Sequence, residues 1–285
     1  MGEMVLRIWD VEHGACAMLH HLANGHAGCL AMIDSGCTAL WRPSTFIRQG
    51  LNRSTLDHLF ITNADQDHMA DLKGLAQEGI IVDTLWRNPT YSGTEMYAIK
   101  SVSGPVSADA QWYVHACDSY NAPCKLPFNA NMGGITANCF FNLYPQFTDT
   151  NNLSLAVFIE FAGFKILFPG DLEKAGWRAL LQRNDFRTAL HSTNIIVASH
   201  HGRESGFCED VFDCVVPDAV IISDKAIVHE TQRMVPDYRR VTREQGIIVN
   251  TTMKSRHVLT TRRDGWIQFR VREDGFYFVD TEYAG

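Results

Sequence analysis

The sequence predicts an α/β fold in which two β-sheets pack face to face with helices on the outer faces. Three observations lead there. Short apolar segments rich in β-branched and aromatic residues recur along the chain, helical stretches alternate with them in the middle, and polar clusters follow the strands.

Residues 4–11 alternate in hydropathy and read as a strand, followed by a turn at Glu12-His13-Gly14. Residues 15–20 and 28–33 read as two more strands, and Asp34-Ser35-Gly36 leaves the second in a polar loop. A helix is expected over 41–49, a buried strand over 56–62 and a helix over 69–77. Another strand is expected over 80–86. Residues 88–150 carry scattered Pro and Gly and read as a loop-rich insertion with short strands, at about 88–148. Residues 153–161 and 164–168 predict a hairpin around Ala162-Gly163, then a helix over 173–183. Further strands are expected over 194–198, 219–223 and 247–250, with a helix near 231–245. The C-terminus predicts strands over 258–261, 266–271 and 276–279 around a turn at Asp264-Gly265. Repeats, low-complexity tracts and clear linkers are missing, so residues 1–285 are read as one domain.

The chain has 285 residues with 46% hydrophobic and 20% charged residues, which suffices for a full core. A net charge of −7 argues against tight, non-specific binding of long duplex DNA, which favours a basic surface. Eight cysteines without a C-x-x-C pair read as reduced thiols. The sequence shows no signal peptide and no membrane span, so a cytoplasmic location is expected, with no membrane partner.

The chemistry is concentrated in polar clusters after strands: Asn63-Ala64-Asp65-Gln66-Asp67-His68, Gly170-Asp171, His200-His201-Gly202, and Ser223-Asp224 with His229. Taken singly, each has a plainer reading. Asp67 and Asp171 suit helix caps, and His200-His201 suits an exposed turn. Together, carboxylates and imidazoles at strand ends form a donor set for a catalytic divalent metal. His13, His20, His21 and His26 read as surface or structurally satisfied histidines, and Trp86, Trp112 and Tyr113 as core of the insertion in preference to base-stacking groups.

The order of these motifs resembles the metallo-β-lactamase superfamily, and within it most resembles the β-lactamase-like domain of ComEC-type DNA-uptake proteins and their free-standing relatives. The residues that carry the resemblance are Asp10-Val11-Glu12-His13-Gly14, Ile33-Asp34-Ser35-Gly36, Thr62 to His68, Asn151-Asn152-Leu153-Ser154-Leu155, Phe168 to Glu173, Ser199-His200-His201-Gly202 and Asp264-Gly265. It covers nearly the whole chain outside 88–148. The fold it implies is the αββα sandwich.

The resemblance implies that Asp67, His68, Asp171 and His229 hold one metal ion. It places a second ion at Asn63, Asp65 and either Asn151 or Asn152. Asn63 and Asp65 stand where relatives carry histidine, and so oxygen-rich a set suits manganese or magnesium, whereas histidine suits zinc. One or two divalent ions are therefore expected. Asp65 or Asp67 is expected to orient the attacking water and accept its proton. His200 or His201 is expected to protonate the leaving oxygen, Asp34 to support a ligand through a hydrogen bond, and Arg203 to grip a phosphate. The leading expectation is a phosphodiesterase or nuclease acting on nucleic acid or nucleotides. The alternatives are a catalytically impaired binding or regulatory protein, favoured by Asn63, and an amide, lactone or thioester hydrolase, disfavoured by it. A homo-oligomer is possible, and partner proteins are not specified by the residues.

Overall fold

The computed structural model describes residues 2–284 other than 103, 123, 125, 126 and 228. One sheet has nine strands, ordered β12 (Lys254–Arg256), β11 (Ile247–Val249), β15 (Tyr277–Thr281), β14 (Ile267–Arg272), β1 (Gly2–Ile8), β2 (Ala17–Ala23), β3 (His26–Ile33), β4 (Thr55–Phe60) and β5 (Ile81–Trp86). The other has six, ordered β13 (Val258–Thr260), β10 (Ala219–Ile222), β9 (Ile195–Val197), β8 (Phe164–Phe168), β7 (Leu155–Phe161) and β6 (Thr136–Phe141). Both are mixed: β3, β4 and β5 run parallel, as do β8, β9, β10 and β13, while β1, β2 and β14 and the β6–β7–β8 meander pair antiparallel.

Period-two alternation explains the layering. In β7, Leu155, Val157 and Ile159 face inward and meet Leu6, Ile8, Leu19, Ile33 and Phe60 of the first sheet. Ala156 and Phe158 point the other way, onto Trp177, Leu180, Phe186 and Leu190 of the helices Lys174–Leu181 and Asn184–Leu190. On the far side of the first sheet, Met18, Leu30, Met32 and Leu59 pack against Met69, Leu72, Leu75, Met96 and Tyr113 of helices. Each sheet thus has both faces covered, and the result is the predicted αββα sandwich.

The region from 88 to 148 differs from its loop-rich reading. It contains helices Gly93–Ser101 and Ala108–Ser119, and β6 is a core strand paired along β7. Ser92 and Glu95 form a reciprocal capping box, and Ser107 accepts from the Ala110 N–H. The first helix buries only Gly93 and Met96, so it shows no apolar stripe to betray it. The second buries Ala110, Tyr113, Ala116 and Cys117, a stripe in which two members are small. Trp86 stacks on Phe60 at 5.3 Å and Tyr113 is buried against Tyr91, so both are core. The helix expected over 69–77 is split into Gln66–Met69 and Leu72–Gln77. Among the described residues, no helix is long and apolar enough to cross a membrane.

Candidate metal centre

Parallel strands deliver their C-terminal ends to one edge, and that edge gathers the polar clusters. β3 leads to Asp34, β4 to Thr62 through His68, β8 to Asp171, β9 to His200 and His201, and β10 to Ser223. Loops of the two sheets are tied to each other directly. The Leu155 N–H donates to Thr62 O at 2.7 Å, the Asp171 N–H to Ser154 Oγ at 3.0 Å, and Ser223 Oγ to Gly14 O at 2.8 Å. Gly14 has φ +148°, and a side-chain carbon there would meet the Asp67 carbonyl at 2.5 Å, so this approach requires glycine. His200 and His201 both lie in the left-handed region, at φ +51° and +52°. Such residues cost about 1–3 kcal/mol each and persist where the surroundings hold them.

Among the described residues, Asp67, His68, Asp171 and His201 form a group whose ligand atoms all lie within 4.8 Å of one another. Their tautomers follow from the hydrogen bonds. Buried Asp34 accepts from the Thr62 N–H at 2.7 Å, from Thr62 Oγ1 at 2.5 Å and from His68 Nδ1 at 2.8 Å. His68 Nε2 is then turned to Asp171 Oδ1 at 3.1 Å. His201 Nδ1 donates to the Ser223 carbonyl at 3.0 Å. In the neutral ring that leaves Nε2 as a buried lone pair without a hydrogen-bond partner, 3.0 Å from Asp67 Oδ2 and 3.7 Å from Asp171 Oδ2.

Two imidazole lone pairs and two carboxylates facing one another require positive charge between them. Without a cation, protons supply it. Burial works against charging His68 and His201, but the carboxylates of Asp171, Asp34 and Asp67 outweigh it and raise both rings above their ordinary value. Burial likewise opposes ionisation of Asp67 and Asp171, and the two histidines overcome it, holding both carboxyls far below the usual range. A mixed nitrogen and oxygen set with a buried orphan lone pair fits a divalent transition ion.

The structure places the other predicted site residues as follows. Asn63 is buried beside the group; its amide nitrogen donates to Asn151 Oδ1 at 3.2 Å and to Asp65 Oδ2 at 3.4 Å, while its own Oδ1 has no partner. Asp65 is ion-paired with Lys100 at 2.6 Å and accepts from Thr150 Oγ1 at 2.9 Å. His200 Nδ1 lies 2.9 Å from Ser205 Oγ and 3.4 Å from Glu173 Oε1, and Arg203 stands 3.3 Å from its Nε2. Burial pushes the His200 ring below its ordinary value despite the pull of Asp171, so it is neutral near pH 7.

Two expected ligands need correction. Asn152 is committed elsewhere: its Oδ1 accepts from the Glu173 and Gly176 N–H groups, capping the Lys174–Leu181 helix from outside, and its Nδ2 donates to Asp149. Asn151, one residue earlier, is the side chain that reaches Asn63. His229 is exposed and stands outside the four-residue group; the late histidine in that group is His201.

Sequence reasoning read His13 as a surface or structurally satisfied histidine and passed over Lys100. His13 Nε2 lies 3.5 Å from Asp67 Oδ2, and its ring sits 4.6 Å from that of His201. Its place immediately before an obligatory glycine turn was the available signal. Lys100 comes from the insertion helix and had no local signal at all.

No protein-family model matches the sequence, and no curated protein matches it. Solved structures do. The chain is similar to a protein of Parabacteroides distasonis ATCC 8503 described as a metal-dependent hydrolase, at 12% identity and TM-score 0.44, covering 90% of this chain and 93% of that one. It is similar to CmlA, a diiron β-hydroxylase from Streptomyces venezuelae, at 14% identity and TM-score 0.48, covering 84% of this chain and 51% of that one. It is also similar to a diphosphatase of the PhnP family, at 12% identity and TM-score 0.44, covering 95% of this chain and 99% of that one.

Proposed function

We propose that this chain is a metal-dependent hydrolase of phosphodiesters, acting on nucleotides or nucleic acid. The observation that carries the reading is the convergence of Asp67, His68, Asp171 and His201, with both histidine Nε2 atoms turned inward by their own hydrogen bonds. A divalent ion held by these four groups would acidify a water and polarise a phosphoryl oxygen. The chain's own residues supply the rest. Asp67 is the most exposed of the four and is the carboxylate able to accept a hydrogen bond from, and so orient, a water at the mouth of the site. Arg203 stands beside His200, and Lys100 beside Asp65. Cationic groups around an anionic centre favour a substrate that carries negative charge, as a phosphodiester does and a neutral amide or lactone does not. His200 is occupied by Arg203 at Nε2 and by Ser205 at Nδ1, so in this reading it is Arg203 beside it that offers N–H groups to a phosphate oxygen. Zinc or manganese suits the two-nitrogen, two-oxygen set better than magnesium.

The test is the metal content of the purified chain, followed by hydrolysis of bis(p-nitrophenyl) phosphate with zinc, manganese or magnesium. Bound metal and metal-dependent turnover, both lost in Asp171→Ala, are the expected result. A fully active Asp171→Ala refutes the assignment. A second reading, a binding protein with an impaired centre, draws on Asn63, Asn151 and the paired Asp65; it predicts bound metal without turnover on any diester.

A further inference from the structure

A chain of contacts borders the four-residue group on one side. It runs from Lys100 to Asp65 at 2.6 Å, from Asp65 to Asn63 at 3.4 Å, from Asn63 to Asn151 at 3.2 Å, from Asn151 to Glu173 at 3.4 Å, and from Glu173 to His200 at 3.4 Å. Asp65, Glu173 and His200 are each one or two residues away in sequence from a member of the group. This is the ground on which a second cation beside the first would have to stand. Most of its donors are already engaged. Asp65 gives one oxygen to Lys100 and the other to Thr150 and Asn63, and Asn151 Oδ1 is taken by Asn63. Along this arc, Asn63 Oδ1 is the buried acceptor without a partner, and a single neutral amide oxygen does not hold a divalent ion.

What the arc does contain is a fixed positive charge. The Lys100 side chain is largely buried, with 19% of its surface exposed, and it arrives on the capped Gly93–Ser101 helix. Its ammonium has three N–H donors, and Asp65 uses one. Lys100 and Asp65 also line a groove of about 780 Å³, together with Val106, Tyr144 and Thr150. Phosphoryl transfer with two metals uses the second ion to neutralise charge on substrate oxygens, and an ammonium can do the same electrostatically without ligands of its own.

We propose that Lys100, and not a second metal ion, is the second positive charge of this site, and that it holds a phosphoryl oxygen of a diester whose leaving or attacking arm lies in the adjoining groove. The proposal rests on the metal-dependent hydrolase reading. Asn63 is then a positioning residue, whose amide fixes Asp65 and so aims the ammonium.

Metal stoichiometry measured by isothermal titration separates the possibilities. The wild-type chain is expected to take up one zinc or manganese ion. Asn63→His with Asn151→His is expected to stay at one ion while Lys100 is present, and to reach two when Lys100→Met is added. Two ions in the wild type, or in the double histidine variant with Lys100 intact, overturn the proposal. No ion in the wild type overturns the reading of the centre itself, a different failure seen before any variant is made. In turnover of bis(p-nitrophenyl) phosphate, Lys100→Met is expected to keep its one ion and lose about a hundredfold in kcat/KM, with partial recovery in Lys100→Arg. Lys100→Gln keeps a donor to Asp65 and serves if the methionine variant does not fold; it is expected to show the same loss. Unchanged kcat/KM in a folded, one-ion variant overturns the role of Lys100.

Discussion

Replacing Asp34 by asparagine tests the centre through a residue that does not itself belong to the four-residue group. Asp34 is 2% exposed, sits at φ +59° and accepts three hydrogen bonds, from the Thr62 N–H, Thr62 Oγ1 and His68 Nδ1. In Asp34→Asn the amide oxygen keeps the Thr62 N–H, and the NH₂ takes the place of Oδ2. It then faces His68 Nδ1 as a donor. His68 can relieve the clash only by moving its proton to Nε2, the atom turned to Asp171, and there it is no longer a ligand. Loss of such a supporting carboxylate weakens metal binding by about 10–100-fold, roughly 1.4–2.7 kcal/mol. The metal-free chain also loses a hydrogen bond from a charged ring, about 1.5–3 kcal/mol of stability. Competition with a chromogenic chelator reads the first effect and denaturant unfolding with chelator reads the second. Wild-type metal affinity in a folded Asp34→Asn chain would refute the argument, because it would mean that His68 Nε2 is not held for a metal.

His201→Ala is expected to weaken metal binding by about tenfold or more, while His229→Ala leaves it unchanged; the reverse order, read in the same competition, restores His229 as the late ligand. Asn152→Ala is expected to cost about 1–2 kcal/mol of stability through the lost helix cap, with metal stoichiometry intact; loss of metal without loss of stability would return Asn152 to the centre. The metal-free chain carries a pH signature. His68 and His201 are raised on folding, so their contribution is full below the ordinary value of 6.5 and fades as pH rises through the folded values. Asp67 and Asp171 are depressed, so theirs is present above 3.8 and fades as pH falls. Metal-free stability is therefore expected to decline from pH 6 to pH 9 and saturating metal to remove the decline; a metal-free chain more stable at pH 9 than at pH 6 in urea melts contradicts this.

The sandwich was legible because its signals are local. β1 announces itself by alternation, β7 and β8 by short apolar runs, and the Ala162-Gly163 turn sets the hairpin between them. The site edge was legible too, because polar residues directly after apolar strands have few other uses: Asp34, Asp67, His68, Asp171 and His201 all occupy such positions. The helices of the insertion were not, although Ser92 and Glu95 carry a capping signature, because the first buries too few apolar residues to show a period.

What remained to the tertiary structure was direction. Asn151 and Asn152 are neighbours in sequence, yet one reaches Asn63 and the other caps a helix, since the loop between β6 and β7 turns them apart. His201 and His229 are both late histidines after strands, and only the left-handed turn at 200–202 with the Ser223 carbonyl decides which ring faces the carboxylates. Lys100 lies 35 residues from Asp65, near the end of a helix that gives the core little beyond Met96 and part of Ile99. Sequence determined the residue types and the strands that carry them. Which side chains meet depends on loop direction and on contacts between distant segments, and these are set by the packing of the whole fold.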